Sequence, residues 1–132
     1  MLFFISVPEE LSPPSLTSLT PTSVLITWSK PANPNGLIDE YILERRSSET
    51  HSNPVVINQV LPPTDMSYVD ESIELAPFTT YQYRVMVRNV AGATASQWST
   101  VTTMSASEWK RKLSIFFIII NSFFGKKLLF LI

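Results

Sequence analysis

Two adjacent carboxylate pairs, Asp39-Glu40 and Asp70-Glu71, and a single histidine, His51, are the residues of this chain whose types could support acid–base or metal chemistry. Paired carboxylates can share a proton or hold a hard cation, and a histidine can move a proton near neutral pH. The spacing works against both. Each carboxylate pair lies in a stretch that reads as strand, where neighbours point to opposite faces, so the two acids do not converge on one proton or one ion. His51 sits in a polar loop between Thr50 and Ser52, with no nucleophile placed beside it. There is no cysteine, which removes disulfides, thiolate metal sites and thiol nucleophiles together. Gly-x-Gly-x-x-Gly, P-loop and Gly-x-Ser-x-Gly motifs are absent as well. The chain is therefore expected to be no enzyme, with no catalytic residues, no cofactor and no metal.

Charge narrows the partners. The formal net charge is −1 over 132 residues, but it is unevenly spread. From Glu108 onward the basic residues Lys110, Arg111, Lys112, Lys126 and Lys127 face one acid, whereas the earlier part is strongly acidic. No basic stripe remains there for a nucleic-acid backbone, so no nucleic-acid partner is expected.

The elements that hold these residues are short strands. Residues 15–19 form an edge strand stopped by Thr20-Pro21-Thr22. Residues 23–29 alternate, with Val24, Ile26 and Trp28 on one face, and a buried Trp28 would be the largest single contribution to the core. The loop 30–36, Lys-Pro-Ala-Asn-Pro-Asn-Gly, cannot continue a strand and leads into a third strand over 37–46. There the step from Ile38 to Tyr41 breaks the alternation and predicts a bulge near Asp39-Glu40. Strands over 55–60 and 66–70 follow, separated by Leu61-Pro62-Pro63, and a last strand covers 98–103.

The longest alternation runs from Tyr81 to Arg88. Tyr81, Tyr83, Val85 and Val87 share one face, and Gln82, Arg84, Met86 and Arg88 share the other, as in a half-buried strand of an antiparallel sheet. Its approach, Leu75-Ala76-Pro77-Phe78-Thr79-Thr80-Tyr81, resembles the tyrosine corner of fibronectin type III domains. Trp28, Asn35-Gly36, Tyr41, Tyr68-x-Asp70 and Asn89-x-Ala91-Gly92 extend the resemblance over residues 12–104.

The resemblance implies an all-β fold: a seven-stranded antiparallel Greek-key sandwich, immunoglobulin-like. Its structural core would contain Trp28, Tyr41, Tyr68, Leu75, Pro77, Tyr81, Tyr83 and Val85, with Asp70 structural at the foot of the corner. The hydroxyl of Tyr81 would tie the strand back to the loop before it. One of the outward guanidinium groups, of Arg84 or of Arg88, would stack on Trp98. The natural place for a recognition surface is the loops at one end of the sandwich, here Asn33, Asn35 and Gly36, then Pro62 and Asp65, then Ala91, Gly92 and Thr94. Integrin ligands of the family carry Arg-Gly-Asp in the last of these loops, which is missing in residues 90–97. Ser96-Gln97-Trp98-Ser99 matches only half of the Trp-Ser-x-Trp-Ser of cytokine receptors.

The implied role is a structural and protein-interaction module, one repeat of an extracellular or cell-surface adhesion protein, in contact with protein partners or neighbouring repeats. Two alternatives stand beside it: a single-domain membrane-anchored adhesion or receptor protein, and an intracellular type III module of a giant scaffold protein.

Both ends are expected to lie outside the domain. Residues 1–11 read as a short apolar and acidic leader without structure of its own, and they lack the basic region of a signal peptide. Residues 105–132 are a basic and apolar tail. They read either as a marginal membrane segment, inserting over 113–132 and interrupted by Lys126-Lys127, or as read-through of AT-rich sequence. Localisation is expected to be extracellular or at the cell surface, with membrane association only through that tail.

Overall fold

The computed structural model describes residues 4–50 and 52–125 of the chain. His51 lies outside the described residues. Alternation of the kind seen in the sequence builds two antiparallel sheets. Strands β1 (Ser15–Thr20), β2 (Ser23–Thr27) and β5 (Ser67–Asp70) form one in the order β1-β2-β5. The second runs β4-β3-β6-β7, from β4 (Val55–Leu61), β3 (Glu40–Ser47), β6 (Thr80–Asn89) and β7 (Gly92–Ala95), with β8 (Ser99–Thr102) also paired to β6. A helix, α1 (Ala106–Phe124), follows β8.

The inner faces of the two sheets supply one core: Val24, Ile26 and Trp28 from β2 and its end, Tyr41 and Leu43 from β3, and Tyr81, Tyr83, Val85 and Val87 from β6. Leu61 at the end of β4 and Leu75 from the loop before β6 close it. Trp28 and Tyr41 meet at its centre with ring centroids 5.7 Å apart, tilted by 57°. Trp28 also anchors its strand end, its backbone N–H donating to the Met66 carbonyl at 3.0 Å.

Several details depart from the sequence expectation. The final strand starts at Gly92 and is split in two. Its pairing with β6 slips by one residue between Met86↔Ala95 and Tyr83↔Ser99, and Ser96 fills the break. There the Ser96 hydroxyl accepts from the Val85 N–H at 3.1 Å while the Ser96 N–H donates to the Val85 carbonyl at 2.8 Å. The bulge expected at Asp39-Glu40 is not where the third strand breaks step. The pairing of β3 with β6 is continuous from Glu40↔Arg88 to Ser47↔Tyr81, and the register shifts lie on the β4 side, between Tyr41 and Leu43 and between Leu43 and Glu44. An edge strand tolerates such breaks because its outer hydrogen bonds go to solvent.

The boundary expected at Ser12 moves toward the N-terminus. Pro8 is fully buried, Leu11 packs against the core, and Glu9 bridges to Asn33 through hydrogen bonds of 2.8 and 3.3 Å. At the other end, a residue pattern read as a marginal membrane segment is helical from Ala106. Ser105 starts the helix with a capping box, accepting from the Glu108 N–H at 3.2 Å while the Glu108 carboxylate accepts from the Ser105 N–H at 2.8 Å. None of the helix's residues is buried.

Candidate interaction surface

Several of the carboxylates and arginines of the chain are paired with one another, and one pair lies inside the fold. Arg45 follows Tyr41 and Leu43 in the inward phase of β3, carries its guanidinium toward the core and is only 4% exposed. Such a charge needs a full set of partners. Its Nη1 donates to Asp70 Oδ2 at 2.6 Å, and its Nη2 pairs with Glu74. Asp70, 1% exposed, also accepts from the Tyr83 hydroxyl at 2.9 Å and from the Ser72 N–H at 3.0 Å. Burial and the Asp70 carboxylate together push the Tyr83 phenol far above its ordinary value. Glu71 is exposed. Among the described residues, no group of three or more His, Asp or Glu is arranged to hold a metal ion.

The corner forms around Tyr81, whose hydroxyl donates to the Glu74 carbonyl at 3.3 Å and accepts from the Ala76 N–H at 3.0 Å. Of the residues assigned to the core, Trp28, Tyr41, Leu75, Tyr81, Tyr83 and Val85 are buried, and Tyr68 is partly buried against them. Pro77 is a correction: it is exposed. The turn is held by its backbone, with the Thr103 hydroxyl donating to the Ala76 carbonyl at 2.6 Å and accepting from the Thr79 N–H at 3.0 Å, so the proline ring is left facing solvent.

Trp98 lies under two guanidinium groups, Arg46 at 4.2 Å and Arg84 at 4.6 Å from the ring centroid. Of the two arginines considered from sequence, Arg84 takes this place and Arg88 does not. Extending the β6–β8 register by one step from Tyr83↔Ser99 sets Arg84 opposite Trp98, while Arg88 lies beside β7 opposite Ala93 and pairs with Glu40 at 3.0 Å. Arg46, opposite Gln82 on β3, approaches the ring from the far side of β6. A cation over an exposed aromatic contributes about 0.5–1 kcal/mol. Trp98→Ala is thus expected to lower stability by roughly 1–2 kcal/mol, read as a lower urea midpoint at unchanged slope.

The loop residues proposed from sequence gather mostly at one pole, and one buried side chain organises them. Asn89, 2% exposed at the end of β6, directs its Nδ2 at the carbonyls of Ser6, Pro34 and Asn35, at 2.8, 3.2 and 3.4 Å. Its Oδ1 accepts from the Ala91 N–H at 2.9 Å. The Asn35 side chain in turn donates to the Val7 carbonyl at 2.8 Å. Asn35 has φ of 51° and Gly36 of 134°, so the tip of the loop depends on residues that accept a left-handed or extended-positive backbone. Gly92, at φ 146°, faces Val7, whose methyl would stand 3.1 Å from an added Cβ. Asn33, Asn35, Gly36, Ala91 and Gly92 are therefore drawn together by Asn89 and residues 6–9.

Pro62 and Asp65 lie in the neighbouring turn, closed by the Asp65 N–H donating to the Pro62 carbonyl at 3.0 Å. Pro63 and Thr64 of that turn share a shallow groove with Lys30, Pro34, Gly36, Leu37 and Ile38. Thr94 is not at the pole; it pairs with Val87 within β7. Beside the assembled loops stand two apolar side chains that the sequence reading did not single out, Leu37 at 88% and Val90 at 76% exposed. Each directly follows a constrained residue, Gly36 and Asn89, and that adjacency was the signal available in the sequence.

Comparison with known proteins agrees with this architecture. Residues 8–105 match the model of the fibronectin type III domain. Human usherin is 39% identical over 98 residues, which cover 73% of this chain and 2% of that protein. The human protein named cell adhesion molecule-related/down-regulated by oncogenes is 34% identical over 86 residues, covering 65% of this chain and 6% of its own length. The chain thus spans a small fraction of the curated relatives it matches. Among solved structures, the sixth fibronectin type III domain from human fibronectin type III domain containing protein 3 aligns with a TM-score of 0.62 at 28% identity, covering 76% of this chain and 90% of that one.

Proposed function

The chain belongs to the fibronectin type III family, and on that premise we propose that it works as a non-enzymatic structural and protein-interaction module, one repeat of an extracellular or cell-surface, usherin-like adhesion protein. The observation that carries this reading is the prearranged loop pole: Asn89 fixes three loop carbonyls from within, while Leu37 and Val90 project from the same end. Loops fixed before an encounter lose less conformational entropy on binding, and exposed apolar side chains beside a polar rim are a usual docking composition. The occupant is a protein surface: a neighbouring type III repeat or the ectodomain of another adhesion protein. The relative named as a cell adhesion molecule supports the adhesive class of this reading.

Leu37 and Val90 are outside the core, so Leu37→Asp with Val90→Asp leaves the fold intact while changing the surface. In surface-display binding to type III repeats and adhesion ectodomains, the doubly substituted chain is expected to lose about tenfold or more of any affinity, on the scale of one or two interface anchors. A tenfold loss from Val56→Asp on the β4 edge, with the pole variant binding normally, would overturn the assignment.

A further inference from the structure

Helix α1 leaves the sandwich at the pole opposite those loops and offers an apolar face with no protein partner among the described residues. We propose that this face docks on an anionic lipid bilayer, with the helix lying in the headgroup plane. Trp109, Leu113, Phe116, Ile120 and Phe123 recur at steps of four and three and form one stripe along it. Phe116 is 56% and Phe123 is 82% exposed. The side away from the stripe carries Ser107, Arg111, Ser114, Asn121 and Ser122, with Ile118 exposed among them.

Charge identifies the occupant. Lys110, Arg111 and Lys112 stand together in the first turns, and the helix's one acid, Glu108, is engaged in its capping box with Ser105. A parallel second copy would set Lys110 and Lys112, which flank the stripe, against their own counterparts. An antiparallel copy would set them against the apolar far end, where no acid answers them. An anionic headgroup layer supplies the missing negative charge beside an apolar phase, and a tryptophan next to a basic cluster suits that boundary.

The same residues oppose crossing. A 19-residue helix is about 28 Å long, close to the ~30 Å of a hydrocarbon core, but Lys110 and Arg111 occupy its first turn and a half. No helix among the described residues is long and apolar enough to cross a membrane.

The test is flotation of the full chain with phosphatidylcholine–phosphatidylserine vesicles at a ratio of about 7 to 3, beside vesicles of phosphatidylcholine alone. Co-flotation with the anionic vesicles only is expected, with the Trp109 emission shifted to the blue. Lys110→Gln, Arg111→Gln and Lys112→Gln combined should weaken partitioning by roughly 100-fold, at about fivefold per charge. Phe116→Ser with Ile120→Ser should abolish it while leaving the melting midpoint of the sandwich unchanged, since neither side chain is buried. Equal flotation with neutral vesicles overturns the proposal, as does retention on membranes after an alkaline carbonate wash. A chain that self-associates through Phe116 and Ile120 and floats with neither vesicle also overturns it and makes a second copy the occupant.

Discussion

Replacing Asp70 with asparagine is expected to cost about 3–5 kcal/mol of stability, the range found when one partner of a buried ion pair is removed. The cost arises because Arg45 stays in the core with its charge, keeping only the outer partner Glu74, while Tyr83 and Ser72 lose a charged acceptor. Urea unfolding reads this directly, and a loss below about 1 kcal/mol would show that Arg45 is satisfied without Asp70. Adding Arg45→Met to Asp70→Asn removes the stranded charge and should restore a large part of the loss.

The same residue sets the acid limb of stability. Burial by itself would raise the Asp70 pKa, but hydrogen bonds from the Ser72 hydroxyl and N–H and the adjoining Arg45 guanidinium outweigh it and hold the carboxyl below its usual range. With a depressed folded value, the unfolded chain takes up the proton first as pH falls. The contribution is therefore complete above the ordinary aspartate value of about 3.9 and is lost as pH drops through the lower folded value. Thermal midpoints of the native chain should fall steeply there, and those of Asp70→Asn should be flatter.

Trp28→Ala is the second large effect, at about 3–5 kcal/mol. Trp28 joins the end of β2 to Tyr41 on the facing sheet, and the core it belongs to is built largely from β-strand side chains fixed by their ladders. Such walls cannot collapse into the space, so the cavity term adds to the lost transfer free energy. For a domain of roughly 100 residues this lowers the melting midpoint by more than about 10 °C. Trp28→Phe should recover more than half of the difference; if it recovers nothing, packing around the indole is not the source. Against these two substitutions, Trp98→Ala on the outer face is a small perturbation, because the cations above it stay hydrated.

Much of the fold could be read from the chain because sandwich strands advertise themselves by period two. The phase of Tyr81, Tyr83, Val85 and Val87 fixed the inner face of β6, and the approach from Leu75 to Tyr81 announced the corner. The phase of β3 also contained Arg45, two steps after Leu43, but a charged residue at an inward position reads as an error until its counter-charge is known. That counter-charge, Asp70, is 25 residues further along. Separation of the same kind hid the second partner of Trp98: Arg46 reaches it across β6 from another strand, while Arg88 is taken by Glu40. Pro77 failed as a core residue because the motif it belongs to is held through backbone groups.

The residues by themselves determined the class of fold, the absence of thiol chemistry, the acidic domain and the basic tail, all of which depend on composition and on local alternation. The tertiary structure decided which loops meet, that Asn89 clamps them through carbonyls of Ser6, Pro34 and Asn35, and that residues 6–11 join the sandwich. It also decided that α1 stands apart with its apolar stripe uncovered. These features depend on contacts between residues distant in the chain, whose geometry is set only when the two sheets close on one another, and no local period encodes that closure.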